Sequence, residues 1–294
     1  MKIITKQLPV NHNLFLYSCD HEGNILRHDK GFKKMIHMVH SEYEGCKNNF
    51  CWDFGDSVEA IQVDDPRFSF ATVNPKYSVP MLQMFQAVKH RKPIAHIILG
   101  MNESNHPLKL WRFGNITQTI CDKLNEKHGG HIPYIPWAGK LVARDSHGGI
   151  MYRMFNTHGR LAINSRVPDP KRRKTNNQLK LKNQLAPMMG DCILMAKAHI
   201  HKIINCHPDR ELYITDDGDK TKQGYTQGDE VDQTASFIHP DNRYYVAVGS
   251  FLKLYGENVA GYAERFEMQP IELGFQIARI RNKKLQGVDP IYLD

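Results

Sequence analysis

The chain has 294 residues, of which 41% are hydrophobic, and this length could form one large domain or two of ordinary size. A mean hydropathy of -0.51, without any apolar run near the roughly 18 residues that a membrane span needs, argues against a membrane protein. Lysine and arginine exceed aspartate and glutamate by eight (39 against 31), so a polyanionic partner such as nucleic acid is permitted but not required.

The cysteines and the N-terminal residues indicate a compartment. The six cysteines form no C-x-x-C pair, and several lie inside apolar runs, where free cysteine behaves as a small hydrophobic residue. Residues 1–18 contain only short apolar stretches and lack a small-residue cleavage site, so they are not typical of a signal peptide. We therefore expect an intracellular, cytoplasmic protein with reduced thiols.

Strand-like and helix-like patterns alternate through the first two thirds of the chain. Helices are predicted where apolar residues recur at helical spacing, as Phe32, Met35 and Val39 do. Strands are predicted from short apolar runs bounded by polar loops. In chain order, the predicted elements are a strand at 14–17, a helix at 31–40, a strand at 50–54, a helix at 81–90, a strand at 94–99, a helix at 108–127 interrupted by Gly114, a strand at 150–155, a basic helix at 168–187 and a strand at 191–198.

The pattern changes after residue 201. Residues 216–233 are polar and rich in glycine, which predicts a loop or a hairpin tip. Residues 244–254 and 271–281 are typical of strands, and no further long helix is predicted. Without an internal repeat or a linker, the sequence predicts a single α/β domain over residues 1–294, with a β-rich C-terminal portion at about 205–294.

Side chains that bind metals follow five of the predicted strands. In open α/β sheets, ligand sites gather at the carboxyl ends of strands, where loops carry function on a rigid support. Imidazole and carboxylate together favour manganese, iron, zinc or nickel over calcium. The five junctions are residues 18–23 (SCDHEG), 55–59 (GDSVE), 100–106 (GMNESNH), 157–159 (THG) and 198–201 (AHIH).

His199 and His201 form the clearest of these patterns. Side chains alternate along a strand, so two histidines at i and i+2 point the same way when the chain is extended. At the mouth of a buried strand, such a pair can bind two adjacent metals or clamp one. A pair of exposed histidines without function is the alternative for this motif alone, and the four other junctions favour a metal site.

The order of the five junctions resembles that of the calcineurin-like metallophosphoesterases, whose motifs run D-x-H, G-D-x-x-(D/E), G-N-H-(E/D), H-G and G-H-x-H. The resemblance covers residues 14–204, and residues 110–115 and 248–251 are also similar to uncharacterised bacteriophage members of this class. It implies a four-layer sandwich, in which two mixed β-sheets pack together and are flanked by helices.

The resemblance also implies a role for each ligand. Asp56 would bridge two divalent metal ions, manganese first, with iron, zinc or nickel as alternatives. His21 and His201 would bind one ion. The other ion would be bound by a set of three residues: Asn105, His158 and His199. A metal-bound hydroxide would then attack phosphorus in line, because two metals lower the pKa of their water toward about 7.

Two motifs depart from the family pattern, and each has two possible registers. In the first motif, alignment on His21 puts Cys19 where the family has aspartate, whereas alignment on Asp20 puts Glu22 at the histidine position. Thiolate, carboxylate and imidazole can all bind a metal, so Cys19, Asp20 and His21 are all candidate ligands.

In the third motif, a start at Gly100 puts Asn102 at the position of the histidine that assists the leaving group. A start at Ser104 keeps both functional residues, Asn105 as ligand and His106 as the catalytic group. We favour the second register, because histidine can donate a proton in catalysis and the asparagine amide cannot.

The sequence therefore predicts a metal-dependent phosphoesterase, foremost a phosphodiesterase or nuclease-like hydrolase. A phosphomonoesterase and a non-catalytic binding protein that keeps the fold are the alternatives. The KRRK run at residues 171–174 makes nucleic acid a candidate substrate, since such cations neutralise backbone phosphates. The expected compartment is the host cytoplasm if a phage encodes the chain. The oligomeric state is not predicted, and a homodimer is compatible with the sequence.

Overall fold

Two large mixed β-sheets with helices beside them form the α/β architecture of this chain. The computed structural model describes residues 1–208, 211–225 and 231–294. The strands are β1 (Lys2–Gln7), β2 (His12–Tyr17), β3 (Asn49–Asp53), β4 (Ile98–Asn102), β5 (Tyr134–Ile135), β6 (Ala138–Arg144), β7 (Ile150–Thr157), β8 (Leu194–Lys197), β9 (Ile203–Cys206), β10 (Leu212–Asp216), β11 (Thr221–Tyr225), β12 (Tyr244–Val248), β13 (Leu273–Arg281) and β14 (Lys284–Leu293). The α-helices are α1 (Asp29–Val39), α2 (Pro80–Arg91), α3 (Asn105–Leu108), α4 (Ile116–His128), α5 (Pro170–Leu185) and α6 (Tyr262–Arg265).

Each sheet joins distant parts of the chain. The first sheet has the order β14-β13-β2-β3-β4-β5, in which β2 to β5 are parallel and β13 is antiparallel to both of its neighbours. The second has the order β1-β6-β7-β8-β12-β9, with β7, β8 and β12 parallel. Strands from the predicted β-rich C-terminal portion therefore lie in both sheets, while β10 and β11 form a separate hairpin.

Three apolar clusters hold these layers together. The central one combines Leu16 and Trp52 of the first sheet with Met154 and Val246 of the second. Residues of α1, α2 and α4 pack on the first sheet, and α5 packs on the second through Leu181 and others. The arrangement is compatible with a two-sheet sandwich. In the described part of the chain, no helix is long and apolar enough to cross a membrane.

Most predicted elements are present, and two differ. The strand predicted at 94–99 is instead a 3₁₀ helix, Lys92–Ile97, followed by β4 from Ile98. Pro93 fixes its own φ for a helical first turn, and the apolar residues after it are buried in that turn rather than in a strand. The helix predicted at 108–127 is divided: Gly114 has a φ of 94° and separates the short helical turns before it from α4. Of the loop predicted at 216–233, residues 226–230 lie outside the described residues.

A buried histidine between the sheets makes stability depend on pH. The His12 side chain is fully buried, its Nδ1 donates to the Pro9 carbonyl oxygen at 2.6 Å, and its Nε2 lies 2.8 Å from the Tyr152 hydroxyl. Burial lowers the pKa of His12 to about 4, although the bond to Pro9 opposes this shift. The folded protein therefore keeps this imidazole neutral where the unfolded chain, with a pKa near 6.5, binds a proton.

Stability should consequently fall as the pH drops from 6.5 toward 4, because only the unfolded state gains the proton. Between pH 7 and pH 5, His12 should contribute a loss of about 2 kcal/mol. The free energy of unfolding in urea should be measured at pH 7 and at pH 5. Its decrease between the two should be smaller by this amount in His12→Gln than in the wild type. An unchanged difference in the variant would assign the pH dependence to other groups.

Candidate metal centre

The ends of five parallel strands bring metal-binding side chains together. Junctions after β2, β3 and β4 of the first sheet meet junctions after β7 and β8 of the second. In one group, the ligand atoms lie within 4.8 Å of one another: Cys19, His21, Asp56 and His201. In a second group the same holds for Asp56, His158 and His199. Asp56 belongs to both groups, so the two form one continuous cluster.

Within the first group, two imidazoles face each other. His21 Nε2 lies 3.4 Å from His201 Nε2, and His21 Nδ1 lies 2.9 Å from a carboxylate oxygen of Glu59. Because that carboxylate accepts the Nδ1 proton, the lone pair of Nε2 points into the cluster. A histidine that binds a metal generally donates its other ring N–H to such a partner. Glu59, the last residue of the second junction, has this position.

The second group is fixed by the backbone of β3. His158 Nδ1 lies 2.7 Å from the Phe54 carbonyl oxygen, which can only accept, so Nδ1 carries the proton. His158 Nε2 then lies 3.1 Å from Asp56 Oδ2 and 2.9 Å from Asn105 Oδ1. The lone pair of His158 Nε2, an oxygen of Asp56 and an oxygen of Asn105 therefore face one another, as ligands around a cation do.

The structure places the two asparagines of the third motif very differently. Asn105 Oδ1 lies 2.9 Å from both His158 Nε2 and His199 Nδ1, inside the cluster. The Asn102 amide is fully buried and accepts from the Trp52 indole at 2.7 Å, away from the other ligands. The register that starts at Ser104 is therefore the one that reaches the cluster.

His106 belongs to a third group of potential ligand atoms, with His21 and Glu59, and not to the two groups that share Asp56. Its Nδ1 donates to the Glu59 carbonyl oxygen, and its ring meets that of His21 edge to face at 4.5 Å. Its backbone N–H donates to Asp56 Oδ1 at 3.1 Å. Since Nδ1 is occupied, Nε2 is the nitrogen left for the cavity that His106 lines.

The first motif is also resolved by geometry. Cys19 and His21 both lie in the cluster, whereas Asp20 is not brought into it. The Asp20 carboxylate is fully buried and paired with Arg91, at 2.6 Å, and with Arg27. Glu22 is bound by Arg27, at 2.7 Å, and by His90. The inclusion of Asp20 among the candidate ligands therefore has no geometric support, because its carboxylate is paired with Arg91 and Arg27 outside the cluster.

The backbone of the cluster is unusual in its handedness. Positive φ angles occur at five of its residues: Cys19 (55°), His21 (48°), Asp56 (53°), His199 (70°) and His201 (54°). The strand β8 ends at Lys197, so the two last histidines are not extended. The expectation that alternation along a strand aligns them is wrong. Left-handed turns direct His199 into the second group and His201 into the first.

The charges of the cluster suit metal binding. Burial alone would raise the pKa of Asp56, but the positive charges of His158 and His106 hold it well below its usual range. Burial lowers the pKa of His199 to about 4, and it lowers that of His201 well below its usual value. Ionised Asp56 and neutral His199 and His201 are in protonation states that bind metals. Burial lowers the pKa of His21, but its bonds to Cys19 and Glu59 outweigh burial and raise that pKa well above its usual value, so a metal would take the place of its Nε2 proton.

The donor set fits divalent transition metals. Imidazole, carboxylate, amide oxygen and thiol donors are gathered in two groups with a common carboxylate, and their histidine rings are oriented by second hydrogen bonds. A cavity of about 750 Å³ adjoins them and is lined by His21, Asp56, Asn105, His106, His199 and His201 among others. The cluster is therefore both oriented and accessible.

Two supporting residues were missed in the sequence. The Ser104 hydroxyl oxygen accepts from the Asp56 backbone N–H at 2.6 Å and holds the central carboxylate loop. Arg91 pairs with both Asp20 and Asp53 beneath the cluster. Ser104 lies in the third motif without an assigned role, and Arg91 belongs to no motif, so only the three-dimensional contacts reveal what they support.

Neither the family models nor the curated proteins that were compared with this chain gave a match.

Proposed function

We propose that the chain is a metal-dependent phosphoesterase of the calcineurin-like metallophosphoesterase type, acting on phosphodiesters. The observation that carries this proposal is the position of Asp56, shared between two groups of buried ligands at the carboxyl ends of parallel strands. The order of the strands in two mixed sheets and the five junctions in sequence also support it.

The two ions would be held by the two groups. Cys19, His21 and His201 would bind one ion, and Asn105, His158 and His199 the other, with Asp56 between them. Two divalent ions at such a site supply Lewis acidity toward phosphoryl oxygens and make water a stronger nucleophile.

The residues of the chain supply orientation and a proton donor. Glu59 and the Phe54 carbonyl oxygen lock His21 and His158 with their Nε2 atoms toward the cluster. His106, whose Nδ1 proton is held by the Glu59 carbonyl, presents Nε2 to the cavity. From that nitrogen it would donate a proton to the departing oxygen of the ester, which is the step that general acid catalysis accelerates.

The shape of the cavity favours a diester over a monoester. Two sets of segments line it beside the cluster: residues 162–166 with Lys202, and residues 252–254 with 267–271. A volume of about 750 Å³ is far larger than one phosphate needs, so there is room for a substituent on each side of the phosphorus.

Hydrolysis of two model esters tests the proposal. Protein loaded with manganese should hydrolyse bis(p-nitrophenyl) phosphate faster than p-nitrophenyl phosphate, and EDTA should stop both reactions. A preference for the monoester would favour a phosphomonoesterase. Metal binding without hydrolysis under any of manganese, iron, zinc or nickel would refute the enzyme and favour a binding protein with this fold.

A further inference from the structure

Four cations lie at the cavity or on the helix beside it, and we call them the basic rim. Arg166 and Lys202 line the cavity, and Lys202 directly follows the ligand His201 in the chain. Arg173 and Lys180 lie on α5, outside the cavity lining. They are seven residues apart, two helical turns, and so project from the same face of the helix.

Hydrogen bonds fasten this face of α5 to the rim of the cavity. Lys180 donates through Nζ to the Asn164 carbonyl oxygen, and Lys202 Nζ donates to Asn164 Oδ1 at 2.6 Å. Asn176 also donates to Ser165 Oγ at 3.2 Å. Two cations from different elements thus converge on one residue, Asn164, which itself lines the cavity.

The described acidic residues do not neutralise the basic rim. Among residues 1–208, 211–225 and 231–294, no acidic side chain lies within 4 Å of its four cations. Lys180 and Lys202 lie close together, since both donate to Asn164. Unpaired cations held this close repel one another and attract a polyanion.

The cavity adds an apolar surface to this charged one. Ile61, Leu252, Leu254 and Met268 line it together with the metal cluster. Lys253 lies between Leu252 and Leu254, and Ile163 and Ile200 lie beside the cations, so positive charge and apolar surface line the same cavity. A cavity with both can contact the phosphates and the bases of a single strand.

We propose that the substrate is single-stranded nucleic acid, whose sugar–phosphate backbone passes from the metal cluster along Arg166, Lys202, Lys180 and Arg173. This inference rests on the proposed phosphodiesterase function and names its substrate class. A mononucleotide in the cavity would not extend to Arg173 and Lys180, because these side chains lie beyond the lining. Only a substrate longer than the cavity uses the whole basic rim.

The test compares two variants with the same change of charge. Arg173→Gln/Lys180→Gln removes two cations of the basic rim, and Lys33→Gln/Lys34→Gln removes two exposed lysines on α1, beside the other sheet. Binding of a fluorescein-labelled dT20 oligonucleotide is measured by anisotropy in EDTA, from 50 to 300 mM salt. Hydrolysis of bis(p-nitrophenyl) phosphate by the manganese-loaded variants is measured separately.

The rim variant should bind the oligonucleotide on the order of ten-fold more weakly at 0.1 M salt, and the slope of log K against log salt should fall by about 1.4, or about 0.7 for each lost phosphate contact. Its hydrolysis of the small diester should stay within about two-fold of wild type, and the α1 variant should match wild type in both assays.

Each departure from these results has a separate meaning. Diester hydrolysis with equal oligonucleotide binding by both variants would overturn the inference and leave the proposed function standing. Loss of oligonucleotide binding in the rim variant alone, in a protein without esterase activity, would support the basic rim and refute the proposed function. Inorganic polyphosphate of equal charge that binds as tightly as dT20 would overturn the assignment to nucleic acid, because it has no bases for the apolar lining.

Discussion

Replacing Asp56 with asparagine should lower kcat/KM for a phosphodiester by at least about 10³-fold, because Lewis-acid stabilisation by bound metals is worth several kcal/mol of the barrier. Among the described residues, Asp56 is the only one common to the group of Cys19, His21 and His201 and the group of His158 and His199. The amide keeps the shape of the carboxylate but removes its negative charge. The variant should also retain less metal after gel filtration, as measured by mass spectrometry.

Asp145 provides the matched control. It is a buried aspartate in the turn between β6 and β7, where it pairs with Lys283 at 2.7 Å and does not line the cavity. Asp145→Asn should therefore keep wild-type metal content and activity. An Asp56→Asn protein with more than a tenth of wild-type activity would mean that the cluster is not the reactive centre.

Replacing Arg91 with methionine should destabilise the fold by about 3–5 kcal/mol, the usual effect of removing one partner of a buried ion pair. Arg91 is fully buried at the end of α2, with its Nε 2.7 Å from Asp53 and its Nη2 2.6 Å from Asp20. Burial favours the neutral form of Asp20, but the Arg91 guanidinium holds the pKa of Asp20 below its usual range. Removing Arg91 leaves the buried carboxylates of Asp20 and Asp53 without the cation that pairs with both. Urea unfolding at pH 7 measures the change.

A partly exposed arginine serves as the control for the loss of stability in Arg91→Met. Arg279 pairs with Asp289 at 2.5 Å, with both side chains about 30% exposed, so Arg279→Met should cost no more than about 1 kcal/mol. The triple variant Arg91→Met/Asp20→Asn/Asp53→Asn should recover part of the stability that Arg91→Met loses, since it no longer buries unpaired charge. Equal losses in Arg91→Met and Arg279→Met would contradict the role of Arg91.

The positions of the candidate ligands along the chain, after the ends of strands, could be predicted because they follow from local rules. An apolar run that ends in Asp, Asn or His predicts a strand and a functional loop, and this rule correctly located the junctions at Asp56, His158 and His199. The long amphipathic helices were predicted for the same reason, since their apolar spacing is a property of a few neighbouring residues.

Other features depend on contacts between distant residues and could not be predicted. Whether Cys19 or Asp20 faces the cluster is decided by Arg91, which lies 71 residues away from Asp20 in the chain. Polar residues interrupt the edge strands β1 and β14, so their sequences lack the continuous apolar run that marks a strand. Their place follows from the partners they bind, β6 and β13. The assignment of metals, reaction and substrate stays a prediction.

The left-handed backbone at Cys19, His21, Asp56, His199 and His201 has a consequence for how related chains diverge. A non-glycine residue in this conformation costs of order 1 kcal/mol or more, and glycine and asparagine adopt it most readily. While the cluster is under selection, its side chains hold these positions against that cost. In a lineage that no longer needs the cluster, selection for stability alone would favour glycine or asparagine at all five positions, with the rest of both sheets unchanged. A relative with that pattern would be a descendant that has kept the fold after losing the chemistry.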